Sequence, residues 1–183
     1  MHFYETPLLG NYEIELEPFI DDRGMFARTF CKKEFAAIGF NKEIIQINHS
    51  LTRQKGTIRG LHYQIPPACE TKIIKCIQGR IFDVVVDLRA DSATFMKWHS
   101  VELSHDNMKM FYIPEGFAHG FQALTDNIEL IYYTSEFYNP QYENGLRFDD
   151  PSVGIKWPLP LTCISPKDCD HLLLNREFKG LVL

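Results

Sequence analysis

The stretch Lys72-Ile73-Ile74-Lys75-Cys76-Ile77-Gln78-Gly79-Arg80-Ile81-Phe82-Asp83-Val84-Val85-Val86-Asp87 decides the fold. Two β-branched runs flank Gln78-Gly79, a pattern that reads as two adjacent antiparallel strands joined by a tight turn. Similar short runs recur at 43–48, 57–64, 98–103, 109–113, 120–125 and 129–135, separated by Gly, Pro, Asn or Asp. Many short strands at this spacing predict a mainly β protein, a sandwich or barrel. Helical periodicity is scarce. One short helix is expected over 32–38, and a second begins at Ser165-Pro166-Lys167-Asp168, with Ser165 as N-cap, Pro166 in the first turn and Asp168 closing a capping box.

The 183 residues fit one domain, 1–183, with a sizeable core, and the 13% aromatic content suits β packing. A net charge of −5 without a long basic run argues against a nucleic-acid partner, because phosphate recognition needs clustered Lys and Arg. The N-terminal residues lack a charged start and apolar stretch of signal-peptide type, and no segment reads as a membrane span, so a soluble, cytoplasmic protein is expected. Five cysteines without a Cys-x-x-Cys pair suit packed, reduced thiols better than disulfides or zinc.

Two histidine-bearing runs carry the chemistry. In Arg59-Gly60-Leu61-His62-Tyr63-Gln64, strand alternation puts Gly60, His62 and Gln64 on one face, with the glycine leaving space beside the imidazole. In Pro114-Glu115-Gly116-Phe117-Ala118-His119-Gly120-Phe121, the spacing Pro114-x-Gly116-x-x-His119 resembles the second signature of cupin barrels. Many cupins bind a metal through a His-x-His followed by Glu. Here those places hold Gln64 and Lys72, poor ligands for a transition metal, so no metal set forms from this signature. A pocket of His, Lys and Tyr remains, able to move protons without a metal or other cofactor. Alternation allows only one of Tyr132 and Tyr133 to face inward and does not choose between them. By itself Lys72 reads as a solvated strand-end lysine, and Tyr138 fits ordinary loop packing. Asp168 is either the capping-box acid or a partner that fixes the tautomer of His62.

Taken together, Asp22-Arg23-Gly24, Gln46-x-Asn48-His49-Ser50, Arg59-Gly60-Leu61-His62-x-Gln64, Asp83-Val84-x-Val86-Asp87-x-Arg89, the Pro114–Phe121 run and Ser165-x-Lys167-Asp168 resemble the dTDP-4-dehydrorhamnose 3,5-epimerase family. The resemblance spans nearly the whole chain. It implies a cupin-type double-stranded β-helix, or jelly roll, that is homodimeric, cofactor-independent and active on a nucleotide-diphosphate-linked 4-keto-6-deoxyhexose in deoxysugar biosynthesis. It further implies His62 as general base aided by Asp168, Tyr132 as acid from the opposite face, and Lys72 beside the carbonyl oxygen. Arg23, Gln46, Asn48, Arg59, His119, Glu143 and Lys167 match contacts to nucleotide, phosphate or sugar, and Tyr138 an aromatic residue stacked on the base. Strand alternation, however, puts Arg59 on the face opposite His62, so a twist, bulge or neighbouring subunit has to reconcile them.

Two positions depart from the family pattern. Arg28 stands where a glutamate is common and Ile47 where an aspartate is common. Both remove an acceptor near the nucleotide. Thymine offers an N3–H donor and cytosine an N3 acceptor, so Arg28 as a binding residue admits an alternative, a CDP-linked 4-keto-3,6-dideoxyhexose 5-epimerase. A 3,4-ketoisomerase is disfavoured by the Tyr132 and Lys72 pattern, and a metal-dependent cupin by the missing ligands.

Overall fold

The computed structural model describes residues 1–175 and 177–183. Its strands are β1 (His2–Glu5), β2 (Tyr12–Glu15), β3 (Phe19–Asp21), β4 (Gly24–Phe26), β5 (Gln46–Thr52), β6 (Ile58–Gln64), β7 (Lys72–Gln78), β8 (Arg80–Asp87), β9 (Trp98–Ser104), β10 (Met110–Ile113), β11 (Phe117–Ala123), β12 (Ile128–Thr134) and β13 (Glu143–Gly145). The helices are short: α1 (Lys32–Phe35), continued by a 3-10 turn over Ala36–Ile38, and α2 (Pro166–Cys169). A six-stranded sheet in the order β1-β2-β10-β7-β12-β5 faces a five-stranded sheet in the order β13-β6-β11-β8-β9, with β3 and β4 forming a separate ribbon. This is the expected jelly-roll architecture. Each predicted run overlaps a strand, but that expected over 43–48 is displaced to Gln46–Thr52 and that over 120–125 to Phe117–Ala123, while β1 to β4 and β13 are too short or too polar to announce themselves in the sequence.

The deciding stretch folds differently from the expected hairpin. β7 pairs with β10 and β12, whereas β8 pairs with β11 and β9, so the two consecutive strands lie in opposite sheets. Each already has a neighbour on both hydrogen-bonding edges, and Gln78-Gly79 is a corner between layers. Gly79 makes that corner with φ +75, and a side chain there would collide with Thr125 and Ile128. Period and turn chemistry look the same in a hairpin and in a corner, so the sequence does not separate them.

Crossing between sheets puts Cys76 and Ile81 into one inter-sheet core with Ile74, Val85, Phe111, Phe121 and Leu130. The outer faces are covered too. Val84 and Val86 pack under Trp157, Phe178 and Leu181 of the C-terminal segment, and Ile73, Met110 and Tyr112 pack against Phe35 and Phe40. Burial on both sides explains why 81–86 is nearly continuous in apolar residues. Each fully buried side chain of this kind contributes about 1.5–3 kcal/mol over an exposed one. All five cysteines are free. Cys76 is buried, as expected of packed thiols, but Cys163 and Cys169 are exposed. Among the described residues no helix is long and apolar enough to cross a membrane.

Candidate active site

A cleft of about 400 Å³ opens between the two sheets, within the range usual for small-ligand sites. β6 and β11 supply Arg59, His62, Gln64 and His119 from one sheet. From the other come Gln46, Asn48 and Ser50 of β5, Lys72 of β7 and Tyr132 of β12, with Glu70, Tyr138 and Glu143 at its edge.

Arg59 and His62 share this cleft because β6 carries a bulge. His119 of β11 pairs with His62, yet Phe121, two residues on, pairs with Arg59, three residues back, so β6 holds one extra residue. An extra residue reverses the alternation and brings both side chains to one face. Gly60 makes the bulge possible. At φ +108 a Cβ there would lie 2.7 Å from both the His119 carbonyl oxygen and the Gly120 Cα. The glycine therefore admits the neighbouring backbone; it does not leave room beside the imidazole, and Gly60 does not line the cleft with His62 as alternation predicts.

The His62 ring Nε2 lies 2.6 Å from Asp168 Oδ1. Asp168 is 3% exposed and its other oxygen accepts from the Gly60 amide at 3.0 Å. Burial pushes this carboxyl up, but the His62 ring and the Gly60 amide outweigh it and hold it below the ordinary aspartate range. An ionised carboxylate only accepts, so Nε2 carries a ring proton, and in the neutral imidazole the free lone pair is on Nδ1. The capping box is half formed. Ser165 Oγ accepts from the Asp168 amide at 3.0 Å, while the Asp168 side chain serves His62 and Gly60.

Lys72 is 12% exposed at its side chain, not solvated. It forms an ion pair with Glu70 at 2.9 Å and donates to the His62 carbonyl at 3.3 Å. Tyr132 faces the cleft, whereas Tyr133 turns to the other side of the sheet and meets Thr29 Oγ1 at 3.2 Å. Burial raises the Tyr132 phenol, the positive charge of Arg59 opposes that, and Glu70 adds to it, so the phenol holds its proton at neutral pH. His119 Nε2 lies 2.7 Å from Asp83, a fully buried carboxyl pushed up chiefly by that burial. At the rim, Tyr138 and Lys167 both reach Glu143 Oε2 at 2.5 Å, and Tyr138 donates its amide to Gln46.

Two predicted contacts lie elsewhere. Arg23, 89% exposed, is bound to Asp21 on the β3–β4 ribbon, and Arg28 pairs with Glu34 at 2.6 Å in a separate depression beside Met1, Phe19 and Phe26. Ile47 points out of the sheet, opposite Gln46 and Asn48. Glu70, Asp83 and His171 are site residues that sequence reasoning passed over. Only Asp83 carried a signal, as an acid in the middle of an apolar strand and the first residue of the Asp83-Val84-x-Val86-Asp87-x-Arg89 motif.

The model of the dTDP-4-dehydrorhamnose 3,5-epimerase family matches residues 5–176. The dTDP-4-dehydrorhamnose 3,5-epimerase of Shigella flexneri is 44% identical over 169 residues, covering 92% of this chain and 93% of its own. Among solved structures, the same enzyme from Elizabethkingia anophelis superposes with TM-score 0.92 at 36% identity, covering 97% of this chain and 98% of its own. The dTDP-6-deoxy-D-glucose-3,5-epimerase of Legionella pneumophila, solved with dTDP-4-keto-L-rhamnose, gives 0.91 at 36% identity, covering 96% and 94%.

Proposed function

The chain belongs to the dTDP-4-dehydrorhamnose 3,5-epimerase family, and from that membership and the cleft we infer how it epimerises a nucleotide-linked 4-keto-6-deoxyhexose. The observation that carries the reading is the arrangement across the cleft: His62, backed by Asp168 of α2, stands on one sheet, Tyr132 and Lys72 on the other.

The C4 carbonyl acidifies the hydrogens at C3 and C5, because the electron pair left by a departing proton spreads onto oxygen as an enolate. His62 Nδ1 takes the proton, and Asp168 stabilises the resulting imidazolium through Nε2. Lys72 supplies positive charge at the developing enolate oxygen, a form of help worth roughly 3 kcal/mol or more. Tyr132 then gives its phenolic proton to the carbon from the opposite face; solvent reprotonates the phenolate and takes the proton held on the His62 imidazolium. Base and acid on opposite walls produce inversion; a single group on one wall returns the proton to the face it left. Each proton transfer of this kind contributes about 10²–10⁴-fold.

Arg59, His119, Gln46 and Asn48 hold the diphosphate and sugar. Guanidinium suits phosphate oxygens because it gives paired, charge-assisted hydrogen bonds. Tyr138 stacks on the base at the rim, held by Glu143 and Lys167. We take the nucleotide to be dTDP. Arg28 is tied to Glu34 and Ile47 faces outward, so nothing in the chain's own cleft favours cytosine.

The enzyme acts as a homodimer in this reading. Phe19, Ile20, Met25 and Phe26 of the β3–β4 ribbon are exposed, as are Ile47 and Leu51 on the outer face of the edge strand β5. Exposed apolar surface, on a two-stranded ribbon and on the outer face of an edge strand, marks interaction sites. A second copy seated there gives Arg23 and Arg28 a cleft to reach that their own chain denies them.

Incubation of the enzyme with dTDP- and CDP-linked 4-keto-6-deoxyhexoses in heavy water, followed by NMR, tests the reaction and the nucleotide together. Deuterium entering C3 or C5 of the dTDP sugar with inversion is expected, and unlabelled, uninverted sugar would refute the reading.

A further inference from the structure

Asp168 has a second imidazole beside it. His171 Nε2 lies 4.0 Å from Asp168 Oδ1, and its ring meets that of His62 edge-on at 6.2 Å. Among the described residues that nitrogen is buried and has no hydrogen-bond partner. An unpaired buried nitrogen is costly unless something fills its lone pair or accepts its proton. The ring is held by packing: a Cβ on Gly145 would come within 1.9 Å of His171 Nε2, so glycine is the residue that lets it in. One ligand atom each from His62, Asp168 and His171 lie within 4.8 Å of one another.

We propose that His62, Asp168 and His171 form a binding site for a divalent transition metal of the zinc type, and that occupation of this site switches the enzyme off. Two imidazoles and one carboxylate, with a water in the fourth position, are a tetrahedral zinc donor set. Zinc bonds of about 2.0–2.2 Å require donors about 3.3 Å apart. The 2.6 Å contact between His62 and Asp168 must open slightly and the 4.0 Å contact to His171 must close by a similar amount. Both imidazoles can bind as neutral rings.

Inhibition follows from proton bookkeeping on the His62 ring. A metal taking the Nε2 lone pair leaves the single ring proton on Nδ1, the atom that has to accept the substrate proton. No proton is lost from the protein and no redox change is involved; the base is simply occupied. Substrate contacts on Arg59, His119 and the rim are untouched, so kcat falls and KM does not. This consequence rests on His62 being the base, whereas binding does not.

Zinc chloride titrated into the full-length protein by calorimetry, in a Cys163→Ser, Cys169→Ser background that removes the exposed thiols, is expected to show one site per chain. Cobalt(II) in its place is expected to give the intense visible bands of a tetrahedral ion. His171→Gln is expected to weaken zinc binding by more than the roughly 10–100-fold that loss of an outer-shell partner alone produces. His171→Ala, checked by circular dichroism and thermal midpoint, repeats the test with a smaller side chain. Zinc affinity unchanged in folded His171 variants, or an octahedral cobalt spectrum, overturns the site. One-site binding that His171→Gln abolishes, without loss of kcat in the parent protein, keeps the site and overturns its inhibitory role and the assignment of Nε2 and Nδ1 on His62.

Discussion

Two histidine–aspartate pairs stand side by side in the cleft, His62–Asp168 and His119–Asp83, with the two histidines directly opposite each other across β6 and β11. Their geometry is nearly the same, 2.6 and 2.7 Å, but the carboxylates differ in support. Asp168 has a backbone amide on its second oxygen and is held below the ordinary range. Asp83 is wholly buried, its Oδ2 has no partner among the described residues, and burial drives it up. A firmly ionised partner strengthens an imidazole as base. A carboxyl pushed toward its neutral form orients an imidazole without making it basic, which suits His119 to holding substrate.

The largest expected effect breaks this division directly. His62→Ala is expected to lower kcat by about 10²–10⁴-fold and to abolish deuterium uptake at C3 and C5. His119→Ala is expected to raise KM by about 2–12-fold, the worth of one hydrogen bond, and to leave uptake measurable. Equal losses of kcat in both would mean that the two pairs share one role. Tyr132→Phe sharpens the same comparison from the opposite wall: uptake persists while inversion stops, and loss of both together would remove the two-face assignment.

A middle-sized effect is expected at Glu70, the acid that forms an ion pair with Lys72 and raises the Tyr132 phenol. Glu70→Gln removes a negative charge near Tyr132, so its pKa falls and the alkaline limb of the kcat–pH profile moves to lower pH. An unmoved limb would show that Glu70 only packs.

How much of this was legible in the sequence follows from what each signal depends on. Period-2 runs revealed the long strands because burial on one or both faces writes itself into residue choice. The β7–β8 corner was not legible, since Gln78-Gly79 suits a hairpin as well as a change of sheet, and only the partners on each edge decide. Arg59 and His62 illustrate the same limit at the site: alternation separates them, and the bulge that reunites them depends on the approach of Gly120 to Gly60, a contact between distant segments. Tyr132 over Tyr133, and Asp168 as ring partner over cap, were likewise settled by long-range packing. Glu70 and His171 left no trace, because a loop position has no period to violate.

The smallest effect separates the two pairs by sign. The folded Asp168 carboxyl lies below its unfolded value of about 3.9, so its stabilisation is present above that value and lost as pH falls through the folded one. Asp83 lies above its unfolded value, so its contribution is present below about pH 3.9 and lost as pH rises through the folded value. Thermal midpoints of Asp168→Asn and Asp83→Asn, compared with the parent between about pH 3 and pH 7, should therefore diverge in opposite directions. The deficit of Asp168→Asn grows with pH, because the variant forgoes a charge that the fold supports. That of Asp83→Asn shrinks with pH, because the parent has to bury a charge that the variant never carries. Parallel slopes would place both carboxyls in one electrostatic class and remove the physical basis for giving their histidines different work.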